Sequence, residues 1–492
     1  MKKLILSLPL LFSFSLAHAQ LHTCPYLQNP SPDGMSILWF SKDANPGTLK
    51  FWRENESVQE VVSKPVLASA LLYSEYEVRK YFSGKQPSLP YRHHVRLTDL
   101  QPDGLYHYRV EQGKDVLQAT FRTSPLSNRK IRFIVYADSE TEPESTGIAR
   151  LWTDPSGINT DRRYPIDQTR GYAQNLSVMF RSRPDFILIA GDLVETGGEQ
   201  RDWDEFWKHN CNPESSRSLA SHIPILPALG NHEYYYGEPH GYSTLGSKMS
   251  IAKYLTYFEV PNNQTQDTKD QGHYYRFDYG PASFIVLDSF HNQLYPYGPD
   301  FRPGSQQYEW LQKELKDAQA NSEFTFVIFH HAPYTSGVHG LSLGKDAERE
   351  DTLSSRELQV LTPLFLSYGV DAVFGGHDEM YERSEISGFE VMNKQKLPHT
   401  IHFYDIGIGG DGLRGPHRHV HNPYRKFLAH IDSPEKWRGT KLLKGGKHYG
   451  HLQIDIHPKQ DGYWKAILTP VYVLPRPKPK RFIYTDIVTI QK

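Results

Sequence analysis

Cysteine is nearly absent: the 492-residue chain has two, Cys24 and Cys211. A chain this long buries enough core to fold without a disulfide scaffold, and the two thiols, far apart in sequence, are open to pairing in an oxidising compartment or to remaining buried and reduced. Net charge is also missing, with 55 Lys and Arg against 56 Asp and Glu. No global field therefore argues for nucleic acid or an anionic membrane as partner. Beyond the first 20 residues no apolar run approaches the roughly 20 residues a membrane-spanning helix needs. There is no internal repeat and no low-complexity tract. What is abundant is aromatic, 31 Tyr and 24 Phe, which suits strand-rich packing better than a helical bundle. The length points to two folded units with extras.

The first residues carry Lys2 and Lys3, an apolar stretch from Leu4 to Leu16, and the small-x-small site Ala17-His18-Ala19. This pattern predicts a secretory signal peptide over residues 1–19 and hence a secreted or periplasmic protein. No cysteine stands directly after the predicted cleavage point, which argues against a bacterial lipoprotein. From residue 20 to 125 short alternating segments such as Met35–Trp39 and Tyr106–Val110 are broken by turn signals at Pro30–Gly34 and Gln101–Gly104, which predicts a β-sandwich. Residues 126–430 change texture: apolar runs at Ile131–Ala137, Phe186–Ala190, Phe284–Leu287, Phe324–Phe329 and Ala372–Phe374 alternate with helical stretches at Gln168–Arg181, Gln306–Gln319 and Ser354–Ser367. Strands apolar on both faces and separated by helices predict an α/β layered domain, with strands in residues 431–492 completing it.

Polar residues gather where these runs end. Asp138, Asp192, Asn231-His232-Glu233, His330-His331 and His377-Asp378-Glu379 each follow an apolar strand. In α/β sheets, ligands bind at the carboxyl ends of strands. Carboxylate, amide and imidazole donors without cysteine suit Zn, Fe or Mn. One Gly-Asp or Asn-His alone is ordinary turn chemistry; the ordered set of five points to a metal centre.

Taken with Cys24 through Pro30, Gly230-Asn231-His232-Glu233, His330 through Tyr334 to His339, and Gly376-His377 through Tyr381-Glu382-Arg383, the chain resembles the calcineurin-like metallophosphoesterases, specifically the purple acid phosphatases with an N-terminal fibronectin-III-like sandwich. The resemblance implies a four-layer α/β/β/α catalytic domain and two metal ions. Asp192 would bridge them; Asn231, His330 and His377 would complete the second site, holding Zn, Mn or Fe, with His331 as the alternative to His330. Asp138 would belong to the first site. His232 and His339 match the substrate-facing histidines, which bind phosphate oxygens or protonate the leaving group. The implied chemistry is attack of a metal-activated water on phosphorus.

Two departures fall on the first site. Gly191-Asp192-Leu193-Val194-Glu195 places Glu195 where the family has its colour-giving tyrosine, and Gly376-His377-Asp378-Glu379 places Glu379 where it has a histidine. Glu140 is a further carboxylate near Asp138, at the position where the wider superfamily often has a metal-binding histidine. An oxygen-rich first site, with Asp138, Asp192, Glu379 and Glu195, favours a harder ion such as Fe, Mn, Mg or Ca; the plain alternative is a lost site. The long connection to Asp192 contains Arg162, Arg163 and Arg170, open to a phosphate-clamping role or to a solvated loop, and His417, His419 and His421 lie in a later polar stretch. The expected activity is phosphate monoester hydrolysis on a small phosphorylated substrate; a phosphodiesterase or nucleotide hydrolase, or a non-catalytic surface-binding protein, are the competing readings.

Overall fold

The computed structural model describes residues 20–126, 129–145, 150–152, 162–164, 171–211, 218–265, 268–291, 297–341, 355–410, 413–429, 436–438, 441–444, 448–460, 462–474 and 479–492; the leader at residues 1–19 lies outside them. Residues 21–122 fold into two facing four-stranded antiparallel sheets. One orders Leu21–Ser31, Gly34–Ser41, Tyr91–Leu97 and Val66–Leu67; the other orders Gln59–Val62, Thr48–Trp52, Leu105–Gln112 and Asp115–Arg122. Alternate side chains, among them Leu27, Ile37, Trp39, Leu49, Tyr108, Val110 and Phe121, fill the space between them, as the period of a strand requires.

From residue 131 onward the described residues form two seven-stranded sheets. In the first, Ile131–Tyr136, Phe186–Ala190 and Ile225–Ala228 run parallel, and Gly450–Gln460 joins antiparallel to Ile131–Tyr136. In the second, Ala282–Val286, Phe324–His331, Ala372–Gly376 and Gln395–Ile406 run parallel. The unbroken apolar runs of the sequence now have a cause. Phe133, Val135, Phe186, Leu188, Phe284, Phe326, Ile328 and Phe374 point into the seam between the sheets. Ile134, Tyr136, Ile187, Ile189, Ile285, Val327, Phe329 and Val373 point the other way into the helix-facing core. Both faces are dry, so both must be apolar. Helices Tyr172–Ser182 and Gln200–Asn210 cover the first sheet, and Gln306–Asn321 and Thr362–Ser367 the second, giving an α/β/β/α stack.

The helix expected over Ser354–Ser367 is split. Ser355–Leu361 is a 3-10 segment and the α-helix begins at Thr362, with Pro363 in its first turn. Proline lacks an N–H and crowds the carbonyl four residues earlier, so a continuous α-helix through it is disfavoured.

The sandwich is bolted to the α/β layered domain by buried hydrogen bonds: Tyr26 to the Tyr257 carbonyl (2.7 Å), Tyr108 to the Ser221 carbonyl (2.7 Å) and the Leu27 N–H to the Ala220 carbonyl (2.9 Å). Cys24 and Cys211 meet at this junction as free, buried thiols, the Cys211 S–H donating to the Cys24 carbonyl at 3.2 Å.

Candidate metal centre

Past the ends of Ile131–Tyr136 and Phe186–Ala190 the two chains stay in register. The N–H groups of Ser139 and Glu140 donate to the Asp192 carbonyl (2.9 and 3.1 Å) and Thr141 N–H to Leu193 (3.1 Å). Asp138, Glu140, Asp192, His377 and Glu379 all have positive φ, at 57°, 34°, 52°, 79° and 46°. Left-handed backbone is uncommon for non-glycine residues and gathers at functional sites, where surrounding structure holds it. Two glycines permit the close approach. A Cβ on Gly191 would lie 2.6 Å from His330 Nδ1, and one on Gly230 would lie 2.1 Å from Asp192 Oδ1.

His330 is the hub. Its Nδ1 donates to the Ala190 carbonyl (2.9 Å), which leaves Nε2 facing Asp192 Oδ2 at 2.8 Å, Asn231 Oδ1 at 3.1 Å and His377 Nδ1 at 3.2 Å. Burial alone would lower the His330 pKa, but Asp192 raises it to about 9. Asp192, against its own burial, is held below the usual carboxylate range by His330 and His232. His331 turns away: its Nδ1 lies 2.7 Å from Ser289 Oγ, and burial together with His330 keeps it neutral, well below the ordinary histidine value. Of the double histidine, only His330 enters the convergence. Nε2 of His377 is buried with no hydrogen-bond partner among the described residues, an orphan position of the kind a ligand or ion fills.

On the other side of Asp192 the structure gathers a different set. Ligand atoms of Glu140, Asp192 and His232 lie within 4.8 Å of one another, as do those of Asp192, His330 and His377. Asp192 thus belongs to both groups. Asp138 adjoins them, its two carboxylate oxygens each 3.0 Å from the His377 N–H, and burial lifts its pKa to about 7. Glu195 and Glu379 are placed otherwise. Glu195 contributes its carbonyl, which fixes His232 Nδ1 at 2.6 Å; its carboxylate enters neither group. Glu379 is buried, not solvent-facing, and its Oε1 lies 2.7 Å from the Arg414 guanidinium. The sequence placed Glu140 where the wider superfamily often has a metal-binding histidine but gave it no ligand role; the pairing of the two loops brings it beside Asp192. Nothing in the sequence pointed to Arg414.

The substrate-facing candidates stand beside these groups. His232 Nε2 is 4.0 Å from Asp192 Oδ2; burial would lower its pKa, but the Asp192 and Glu195 carboxylates raise it to about 10. His339 stacks on His377 with ring centroids 3.7 Å apart, and its Nδ1 lies 2.8 Å from Asp378 Oδ1. Glu233, quoted in the motif without a role, accepts N–H bonds from Gly230 (2.8 Å), Asp192 (3.0 Å) and Leu193 (2.8 Å), tying the Asp192 loop to the Asn231 helix. His417 and His419 have ring centroids 5.5 Å apart and enter no three-ligand group among the described residues. Arg170 and the side chains of Arg162 and Arg163 lie outside the described residues.

The calcineurin-like phosphoesterase family matches residues 165–380, and the purple acid phosphatase N-terminal domain matches residues 22–125. An uncharacterized protein of Mycobacterium tuberculosis is 32% identical over 495 residues, covering 91% of this chain and 85% of its own. The Fe(3+)-Zn(2+) purple acid phosphatase 12 of Arabidopsis thaliana is 24% identical over 452 residues, covering 88% of this chain and 80% of its own. Among solved structures, the purple acid phosphatase PPD1 of yellow lupin superposes with a TM-score of 0.62 at 17% identity, covering 95% of this chain and 73% of that one, a likeness of fold.

Proposed function

The chain belongs to the purple acid phosphatase-like metallophosphoesterases, and from that premise we propose that it is an exported phosphatase that hydrolyses phosphate monoesters at a two-ion centre bridged by Asp192. The observation that carries the reading is the convergence of Asp192, Asn231, His330 and His377. One carboxylate oxygen, one amide oxygen and two imidazole nitrogens form the mixed donor set that suits Zn, Mn or Fe. Asp138, Glu140 and Asp192 offer oxygens to the other ion, a harder one. The ions, when bound, supply Lewis acidity to the attacking water and neutralise charge on the phosphoryl oxygens.

The remaining steps belong to side chains. His232, its Nδ1 anchored on the Glu195 carbonyl, presents Nε2 to a phosphoryl oxygen as a hydrogen-bond partner. His339, steadied by Asp378, delivers a proton to the leaving-group oxygen, the general-acid role open to histidine near neutral pH. The leader predicted over residues 1–19 supports export, and among the described residues no helix is long and apolar enough to cross a membrane.

The test is elemental analysis of protein purified without chelator, with monoester and diester substrates assayed on the same sample. Two ions per chain with faster monoester than diester hydrolysis is the expected result. Preference for the diester would replace the substrate class, and no hydrolysis after reloading with Mn, Zn, Fe, Mg or Ca would sink the reading.

A further inference from the structure

The ligands of the second site come from two different sheets. Asn231 follows strand Ile225–Ala228 of the first sheet, and His330 lies at the end of strand Phe324–His331 of the second. The 3.1 Å between Asn231 Oδ1 and His330 Nε2 is therefore a distance across the seam, set by what fixes one sheet's end against the other's. Asn231 sits in a single helical turn, Asn231–Tyr234, too short to hold itself. Its last residue supplies a tie. The buried Tyr234 hydroxyl donates to Asp288 Oδ2, in the segment after strand Ala282–Val286 of the second sheet. Asp288 is held in turn. His273 Nδ1 donates to the same oxygen at 2.8 Å, Oδ1 accepts the Phe290 N–H at 3.0 Å, and Gln307 bonds both the N–H and the carbonyl of Asp288 (2.8 and 2.9 Å). Phe290 packs on the Tyr234 ring with centroids 4.5 Å apart. At the other end of the turn, Asn231 Nδ2 donates to the Tyr242 hydroxyl at 3.3 Å, which leaves Oδ1, the amide atom with lone pairs for a cation, toward His330.

We propose that Asp288 is a positioning residue for the second ion: through Tyr234 it fixes the Asn231 turn of one sheet against the His330 strand end of the other. This rests on the two-ion phosphoesterase reading above. A carboxylate suits the task, because a hydrogen bond to a charged acceptor is roughly twice as strong as one between neutral groups. With Asp288 and Tyr234 both buried, an unmade bond would leave a desolvated hydroxyl without a partner, so the tyrosine has one place to be. Ion binding is sensitive to such a tie, since ligand atoms must come within a few tenths of an ångström of their bonding distance. A bond that only adds stability would instead lower melting temperature and leave ion affinity alone. The two roles thus differ in a measurable way.

Tyr234→Phe removes the hydroxyl and keeps the ring on Phe290. Asp288→Asn removes the charge, and the double variant tests whether the two act through one bond. Tyr26→Phe is the comparison: it too deletes a buried tyrosine hydroxyl, whose partner is the Tyr257 carbonyl at the sandwich junction. Circular dichroism and melting temperature of metal-free protein establish folding and structural cost. Zinc affinity is then measured by titrating metal-free protein against a chromophoric chelator, with His330→Asn marking which of the two steps belongs to the second site.

The expected result is second-site zinc affinity weakened about 10- to 100-fold in Tyr234→Phe, with the other step unchanged. Asp288→Asn should weaken the same step at least as much, and the double variant no more than the worse single. Tyr26→Phe should lower melting temperature and leave both steps at the parent's values. Second-site affinity within about twofold of the parent in folded Tyr234→Phe overturns the proposal, whatever Asp288→Asn does, because the tie would then be a stabilising contact alone. Equal weakening of both steps also overturns it, since the variants would be loosening the whole centre. A parent with no step that His330→Asn removes would overturn both this proposal and the two-ion reading. If the parent binds two ions but hydrolyses no ester, the phosphatase reading falls by itself, and the affinities still decide the role of Asp288.

Discussion

Asp378 Oδ1 lies 2.8 Å from His339 Nδ1 and accepts the backbone N–H of the same histidine at 3.1 Å. One buried oxygen therefore fixes both the ring and the main chain of His339. The other oxygen accepts the Thr335 hydroxyl at 2.6 Å. Burial opposes ionisation of Asp378, but His339 and Thr335 keep it below the usual carboxylate range. Asp378→Asn preserves shape while removing the charge that orients an imidazole. Partners of this kind typically contribute about 10- to 100-fold. The expected outcome is a drop of that size in kcat on a poorly activated monoester, with a smaller drop for a substrate whose leaving group needs no proton. Equal losses on both would show that Asp378 only supports the fold.

The adjacent histidines 330 and 331 should behave oppositely. His330→Asn removes the nitrogen that faces Asp192, Asn231 and His377, and about one ion per chain should disappear from elemental analysis. His331→Asn breaks the contact with Ser289 and should lower melting temperature while leaving two ions in the folded protein. The reverse pattern would exchange their roles.

Much of this centre could be read from the sequence because its parts sit at strand ends, and strand ends are visible where an apolar run stops. Asp138, Asp192, Asn231, His330 and His377 were read that way, and the structure brings their side chains to one place. Glu140 and Arg414 were not assigned, for two different reasons. Glu140 depends on the lateral pairing of two loops, which no local pattern encodes. Arg414 lies on an irregular loop past Gly409 and Gly410, where neither period 2 nor period 3.6 marks which way a side chain faces. The two sheets were legible as apolar runs, whereas the split of the helix at Thr362 was lost because a helical count over Ser354–Ser367 ignores what Pro363 does to the turn before it.

Glu195 stands where the family motif places the tyrosine that colours ferric enzymes. Its carbonyl holds His232, and a carboxylate has no low-energy charge-transfer transition to iron comparable to that of a phenolate. Protein loaded with ferric iron should be colourless at the wavelengths where tyrosinate complexes absorb. A strong visible band would mean that another tyrosine reaches the metal.

Acid should destabilise the first sheet through His451. This buried histidine has Nδ1 2.8 Å from Asn175 Oδ1, and burial drops its pKa to about 3. The unfolded chain binds this proton at the ordinary value near 6.5, above the folded value, so between about pH 6.5 and 3 the unfolded state holds more protons. Stability is then present above pH 6.5 and falls as pH is lowered, by up to about 1.4 kcal/mol per pH unit for this one group. His451→Gln removes the titration and should flatten the dependence of melting temperature on pH between 6.5 and 4, even if it lowers the melting temperature at pH 7. An unchanged slope would show that the ring is already charged in the folded protein.

Glu77 couples the two domains through a helix end. Helix Gln200–Asn210 begins after Glu199, which makes no side-chain capping bond, so its first N–H groups need acceptors from elsewhere. They find them in the sandwich domain: Glu77 Oε2 accepts from Gln200 N–H at 3.1 Å and Oε1 from Arg201 N–H at 2.8 Å, while Oε2 also accepts from Ser74 N–H at 2.6 Å. A negative charge at this end is further favoured by the helix dipole. Glu77→Ala leaves these donors without their acceptor in a buried place, each worth about 1–3 kcal/mol, and should cost at least about 2 kcal/mol in denaturant unfolding. Ser74→Ala is the control, since it removes only the local cap of helix Glu75–Tyr81 and should cost about 1 kcal/mol. If the two variants unfold at the same denaturant concentration, the contact across the domain junction contributes nothing beyond the local helix. If Glu77→Ala alone splits unfolding into two transitions, this carboxylate is what makes the domains melt as one.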